Sequence, residues 1–457
     1  MKTILCTVVF TLISILTFAG GVDEMSGAGV PVTSITLWTT EEQPERIAVQ
    51  EEIAADFRAV TGVSVEVVPV SENELGARAT AAFAAGELPD IIYAPLANVV
   101  NWSQEGIADP GSATEVVNNL GADSFAPGVL SLVESNNEYA AVPVDGWTQL
   151  LVYRKDLFEQ NNLAPPTTYD AIVKAIEVLH DPPNLYGFVA ATDPSQTYMM
   201  QVLEHIGLAN GVDIVDDSGN VSLDTPETIE MLEFYKVLTD ASPEGNLFWQ
   251  QSRELYLDGR AAMIVWSPFI MDELAGLRDS APVTFTSDPT SDDLAKRTDF
   301  ITRIAGPSNP GGSGYADVRY LVITVDAAAR QAEQFVEYSL SGAYAKTLAI
   351  APEGKFPVRR GDSTDAQRFV KEWSNLAVGV DRRASLASIY PPEVIQNIVE
   401  GLNTGSRWGF SKGEGALYAR VNETRSIADI TRHYTDGSIS AEEAARLMQE
   451  DTEELMQ

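Results

Sequence analysis

Between Ser34 and Tyr93 the chain repeats one local pattern, a short β-branched run followed by a longer stretch with apolar residues at helical spacing. Ser34–Thr39 reads as a strand. Glu45–Thr61 reads as an amphipathic helix that turns Ile47, Ile53, Ala54, Phe57 and Val60 to one face. Gly62 stops that helix, since glycine tolerates the left-handed closing residue. Val63–Val70 is a second strand, Leu75–Ala85 a second helix closed by Gly86, and Pro89–Tyr93 a third strand. Strands separated by helices pair in parallel with the helices on their faces, so the expected class is an open α/β sheet.

The alternation resumes further along. Strands are expected at Ala141–Tyr153, Gly187–Ala191, Ala261–Trp266 and Val318–Val325. Helices are expected at Tyr169–Leu179, Gln196–Ile206, from Thr225 to about Thr239, Arg253–Asp258, Ala327–Leu340, Ala343–Ala349, Glu393–Leu402, Leu417–Tyr434 and Ala441–Leu455. Thr225 caps its helix and Pro226 fits the first turn. Two stretches read as long irregular loops, Ser280–Arg297 and Gly306–Ala316, and the glycine-rich Pro310–Tyr315 is the better functional candidate. At 457 residues the chain exceeds one hydrophobic core, so two domains are expected.

The first residues, Met1-Lys2, an apolar run from Ile4 to Phe18 and Ala19-Gly20-Gly21, read as a secretory signal over residues 1–20. The only cysteine, Cys6, falls inside it, so the exported chain would hold no disulfide, no thiolate metal site and no lipid-bearing cysteine. A free periplasmic protein is the expected product. Net charge is −36, and loss of Lys2 with the signal makes it −37, 29 basic against 66 acidic residues. Such a surface repels phosphate backbones and anionic membranes, which excludes nucleic acid as a partner. Solubility in a salty habitat explains the charge; attraction of a cationic ligand is the sharper alternative.

Several blocks, in order, carry a resemblance. They are Ile35-Thr36-Leu37-Trp38-Thr39-Thr40, the helix-turn-strand Phe83–Ile92 with its Gly86 turn and Pro89-Asp90 lead, the strand and helix start Val142–Leu157, Asp258–Phe269 with Gly259-Arg260-Ala261-Ala262-Met263, and Phe356-Pro357-Val358-Arg359. Together they resemble the family 1 extracellular solute-binding proteins, the sugar-type receptors of ABC importers. The resemblance runs from about residue 34 to the end. It implies a two-lobed, type II periplasmic-binding-protein fold, each lobe an open, mostly parallel sheet flanked by helices, with the ligand cleft at the hinge. It also implies discontinuous lobes, expected as 31–143 with 317–360 and 144–316 with 361–457. The implied partners are a sugar-like solute and the membrane permease subunits of an importer, with the receptor itself a monomer.

A sugar presents hydroxyls, which favour carboxylates, amides and guanidinium groups, and C–H faces, which lie on aromatic rings. Open sheets offer such groups on loops at the carboxyl ends of strands. After the first strand, Glu42 and Gln43 stand where the resembling proteins hold polar sugar contacts; the bland alternative is a solvated helix start. Asn98 follows the third strand, where the family's maltose binder has an aromatic and an acid that this chain lacks. Trp147 matches a ligand-contacting position and is the leading candidate, and Asp145 either binds hydroxyls or caps hinge backbone. Asp193 and nearby Gln196 resemble the second lobe's sugar-holding pair, or form a simple Asp-Pro turn. Trp266 and Phe269 follow the Ala-Ala-Met strand, where the family stacks one aromatic on sugar. Trp249, Tyr315, Arg359 and Trp408 are weaker candidates, and core packing explains Trp408 equally well. Gly312 and Ser313 would let backbone N–H groups approach a hydroxyl.

An enzyme is the main rival. Acids are too frequent for carboxylate pairs to signal a secreted glycosidase, and His180, His205 and His433 show no ligand spacing. No nucleophile elbow, phosphate loop or zinc-binding helix motif is present. The expectation is therefore a binding protein without cofactor or metal, for a mono- or disaccharide, glycoside or polyol. A compatible solute such as a glycosyl-glycerol, or a cationic small molecule, is the alternative.

Overall fold

The structure, a computed structural model, describes residues 32–457. The expected signal at 1–20 and Cys6 lie outside the described residues. Strand β1 (Ser34–Thr39) leads into helix α1 (Pro44–Thr61), which has proline in its first turn and closes on Gly62 at φ 81. Strand β2 (Ser64–Pro69), helix α2 (Glu72–Ala85) and strand β3 (Ile91–Pro95) follow, and Gly86 closes α2 at φ 68. Of the apolar face expected on α1, Ile53, Ala54 and Phe57 are buried, whereas Val60 is 71% exposed in the last turn. Asp90 ties this region together: its carboxylate accepts from Thr36 N and Ala328 N, both at 2.7 Å.

Two sheets organise the rest. The chain adds β4 (Val142–Thr148) to the first sheet, then crosses at Gln149 alone to β5 (Leu150–Arg154) of the second. Helices α3 (Thr197–Ala209) and α4 (Trp249–Leu257), strand β6 (Met263–Trp266), helix α5 (Ile270–Leu274) and strand β7 (Thr298–Ile301) follow. The chain then returns to the first sheet as β8 (Gly314–Ile323), β9 (Phe356–Pro357) and β10 (Gly405–Ser406). The first sheet has seven strands in the order β9-β4-β8-β3-β1-β2, with β10 beside β8; the second is β6-β5-β7.

Within the expected class the strand directions are more mixed than expected. β1 pairs in parallel with β2 and β3, but β8 runs antiparallel to β3 and β4, because it re-enters from the second sheet. Both ladders of the second sheet are antiparallel. The strand expected at Gly187–Ala191 appears only as a parallel bridge of Val189 to Ile264, beside one of Tyr186 to Ala261. The single helix expected over Leu417–Tyr434 is two, Gly415–Thr424 and Ser426–Thr435, broken where Arg425 takes φ 56. The loop expected at Ser280–Arg297 contains a short helix, Asp293–Arg297, and the one expected at Gly306–Ala316 ends inside β8. Among the described residues no helix is long and apolar enough to cross a membrane.

A buried histidine is left without compensation. His205 on α3 is fully buried and neither ring nitrogen has a hydrogen-bond partner among the described residues. Burial pushes its pKa down from 6.5 to about 4. The unfolded chain therefore takes up the proton first as pH falls; stability present above about pH 6.5 is lost on the way to pH 4, by up to about 3 kcal/mol. His205→Leu should raise the urea midpoint at pH 7 and remove this part of the acid loss, because two unsatisfied nitrogens go with the ring. An unchanged difference between pH 7 and pH 4.5 would show that His205 is already compensated.

Candidate functional site

The crossing from β4 to β5 places Trp147 and Gln149 between the two sheets. Register pairs Trp147 with Asp317 and Gly146 with Val318 across β4 and β8. A side chain at Gly146 would lie 2.9 Å from the Asp317 carbonyl, so glycine lets the two backbones close up beside Trp147. The Trp147 ring rests against Tyr315, centroids 5.9 Å apart. Across the gap, Trp266 ends β6 and Trp249 begins α4, and their rings stack at 4.9 Å and 15°. One turn along α4, Arg253 sits 4.8 Å above the Trp249 ring, the geometry of an i,i+4 cation–π pair.

These groups enclose a cavity of about 460 Å³ lined by Trp147, Gln149, Gln201, Trp249, Arg253, Trp266, Ser267, Phe269, Glu273 and Arg278. The turn after β6 brings Phe269 over the Gly354 backbone, where a side chain would meet the ring at 2.2 Å. Helix α5 then delivers two buried acids. Glu273 accepts from Arg253 at 2.7 Å, and Asp272 from Arg278 at 2.6 Å. Arg278 also reaches Glu353 at 3.0 Å, in the segment before β9. Burial pushes the Glu273 carboxyl up to about 7, against the pull of Arg253 and with the charge of Asp272 adding to it. Burial likewise pushes Asp272 up to about 6, against Arg278.

Three polar atoms of these lining residues are buried without a partner among the described residues: Gln149 Oε1, Arg253 Nε and Glu273 Oε2. The lining also carries amide, hydroxyl, guanidinium and carboxylate side chains, which between them offer donors and acceptors. No group of three or more His, Cys, Asp or Glu side chains among the described residues is placed to hold a metal ion.

Of the residues singled out from sequence, Trp147, Trp249, Trp266 and Phe269 line this cavity. Tyr315 lies behind Trp147, 1% exposed, and backs its ring. The others lie outside the lining. Asp145 is drawn into a buried cluster, accepting from Tyr93 at 2.9 Å and facing Lys355 at 3.4 Å. In the β1–α1 loop it is Glu41 that turns inward, to Lys355 at 2.9 Å and Arg46 at 3.0 Å; Glu42 and Gln43 are exposed. Burial works against the Lys355 charge, and Asp145, Tyr93 and Glu41 outweigh it, so its pKa rises. Asn98 is half-buried on the helix after β3, with its amide near Gly76.

Asp193 turns one oxygen, Oδ1, to its own turn, accepting from Ser195 N at 3.0 Å and Oγ at 2.7 Å, and Gln196 donates to the same Ser195 hydroxyl at 3.2 Å. Gly312, at φ 67, passes 2.6 Å (as a side chain would) from the Ile304 carbonyl, and Ser313 exchanges backbone bonds with Ile304 at 3.0 and 3.1 Å. That pair forms a structural turn and not an open donor pair. The Arg359 guanidinium is consumed by Ser124 Oγ, Leu120 O and Leu340 O. Trp408 is fully buried and donates to Val212 O at 2.8 Å, the core alternative.

Sequence reasoning missed Gln149, Gln201, Arg253, Ser267, Glu273 and Arg278 as lining residues. Only Arg253 carried a local signal, its spacing from Trp249.

The chain is similar to known proteins. A family model described as bacterial extracellular solute-binding protein matches residues 52–377. YcjN of Escherichia coli (strain K12), named as an ABC transporter periplasmic-binding protein, is 24% identical over 340 residues, 73% of this chain and 75% of its own. A maltotriose-binding protein of Pyrococcus abyssi is 26% identical over 230 residues, 50% of this chain and 48% of its own. Among solved structures, the cyclic α-maltosyl-1,6-maltose binding protein of Arthrobacter globiformis superposes with TM-score 0.68 at 16% identity, covering 93% of this chain and 99% of that one.

Proposed function

Because the chain belongs to the bacterial extracellular solute-binding protein family, the binding components of ABC transporters and not enzymes, we propose that its ligand is a neutral carbohydrate or carbohydrate-like solute held in the Trp147–Trp266 cavity. One observation carries this reading: three tryptophans and a phenylalanine line one cavity together with the polar side chains of Gln149, Gln201, Arg253, Ser267 and Glu273. Rings take the C–H faces of a sugar and the polar side chains beside them take its hydroxyls. Two relatives support the class by their names, one for maltotriose and one for a cyclic maltose dimer. A volume of about 460 Å³ falls in the range of small-molecule sites and suits one or two sugar rings.

The lobes of this reading hinge where Gln149 joins the sheets and where β7 returns to β8. The first lobe extends past residue 360, because the helix Arg368–Ser374 packs on it, Phe369 meeting Tyr344 at 5.0 Å. A ligand touching both lobes favours the closed form by its differential affinity, and the closed form is what a permease would read. Export to the periplasm and a monomeric receptor complete the reading.

A thermal-shift screen tests it, with maltose, maltotriose, trehalose, glucosylglycerol and ribitol against spermidine and glycine betaine. Stabilisation by one or more of the sugars and polyols is expected; stabilisation by spermidine or glycine betaine alone would replace it with a ligand that carries an ammonium group. Trp147→Ala should weaken calorimetric binding of the stabilising solute by at least roughly tenfold, about 1.4 kcal/mol, with folding intact. Unchanged affinity would remove Trp147 from the site.

A further inference from the structure

Trp266 closes one side of the cavity, and the sheet fixes its backbone without fixing its ring. The ladder of β5 and β6 pairs it with Leu150, the first residue past the crossing at Gln149. The indole still turns about two side-chain bonds, so its pose depends on what it packs against. Trp249 stacks on it at 4.9 Å and 15°, and Tyr198 meets it at 5.4 Å and 77°. Phe248 lies 5.4 Å from Trp249 and 6.2 Å from Tyr198, so these rings form a closed cycle. Tyr198 is anchored by its hydroxyl, which donates to Val265 O at 2.6 Å.

Trp249 stands in the first turn of α4, where helices fray, and two features hold it there. Gln251 Oε1 accepts from Phe248 N at 3.1 Å, which closes the turn. Arg253, one turn on, lays its guanidinium 4.8 Å from the Trp249 centroid and donates to Glu273 Oε1 at 2.7 Å. Glu273 is 5% exposed on α5, so a second element fixes the cation in place. A sugar laid on Trp249 would compete for that ring with the Trp266 indole and with the guanidinium. We propose that Trp266 is the ring that meets the ligand on this side of the cavity, and that Trp249 and Arg253 are positioning residues that act through it. A ring already held in its bound pose needs less ordering when the ligand arrives. Release of the clamp lets Trp266 leave that pose, and affinity should fall about fivefold.

The proposal rests on the carbohydrate reading, and a double-mutant cycle separates the two. Calorimetry of the full chain is run with maltose, maltotriose, trehalose, glucosylglycerol and ribitol. Arg253→Met and Trp249→Phe are each made in the unaltered chain and in Trp266→Ala, whose weaker binding is read at high solute concentration. In the unaltered chain each should weaken binding about fivefold. In Trp266→Ala each should change it by less than about twofold, because the ring through which they act is gone. Arg253→Lys, which keeps a cation for the Trp249 face, should recover most of the loss. Equal losses with and without Trp266 would show Trp249 or Arg253 touching the solute directly and overturn the proposal. Unchanged affinity in both single variants overturns it as well, and so does Arg253→Lys binding as weakly as Arg253→Met; all three results leave the carbohydrate reading standing. Failure of every solute to bind the unaltered chain overturns the carbohydrate reading itself. Should Arg253→Met not fold, Arg253→Met with Glu273→Gln takes its place in both backgrounds, since no lone buried carboxylate then remains.

Discussion

Trp266→Ala should cost this protein about a hundredfold in affinity for the solute that stabilises it, on the order of 3 kcal/mol, while the chain still folds. The residue closes one side of the cavity, stacks on Trp249 at 4.9 Å and meets Tyr198 edge-on at 5.4 Å. Its removal takes away one ring face directly and frees Trp249 to leave the stacked pose, taking the Arg253 guanidinium with it. Losses of this size belong to central aromatic anchors; a rim residue costs far less. Trp266→Phe, which keeps a smaller face, should fall between. Calorimetry with the solute identified by thermal shift reads all three proteins, and equal affinities would mean that Trp266 packs only against protein.

Glu204→Ala should lower unfolding free energy by about 3–5 kcal/mol, read by urea denaturation. Glu204 is 0% exposed on α3 and accepts from Arg407 Nε and Trp408 N at 2.8 Å and from the Tyr418 hydroxyl at 2.5 Å. Without it Arg407 becomes a buried cation with no carboxylate, although burial already works against its charge and Glu204 is what outweighs that. The Arg407 guanidinium also lies 4.6 Å over the Tyr315 ring, which backs Trp147, so the same substitution should loosen the cavity wall and weaken binding. Replacing both partners, Glu204→Leu with Arg407→Met, should recover much of the stability, because no unpaired charge remains. A loss under about 1 kcal/mol in Glu204→Ala would show that solvent reaches the pair.

The aromatic half of the candidate site was legible because rings that end strands announce themselves: Trp147 near the end of β4, Trp266 at the end of β6, Phe269 three residues later. The polar half was not. With 66 acidic residues in the chain, nothing local distinguishes Glu273 from its neighbours, and the choice of Glu41 over Glu42 depends on Lys355, more than 300 positions away. Trp408 looked like a loop aromatic beside Arg407, yet Gly207 of α3 leaves room for its ring in the core, where a side chain at that glycine would collide at 2.6 Å. Asp193 matched a ligand-holding pair by resemblance, and the structure shows one of its oxygens bonded to a serine two residues on.

The sequence alone determined what short-range sterics and periodicity control: the β1-α1-β2-α2-β3 start, helix ends at Gly62 and Gly86, and the aromatic residues at the ends of two later strands. Only the tertiary structure decided which charges are buried together, which tryptophans face the cavity and which the core, and that β8 returns antiparallel. The reason is physical range. Backbone propensity acts over a few residues, whereas desolvation and ion pairing depend on groups brought together from distant parts of the chain.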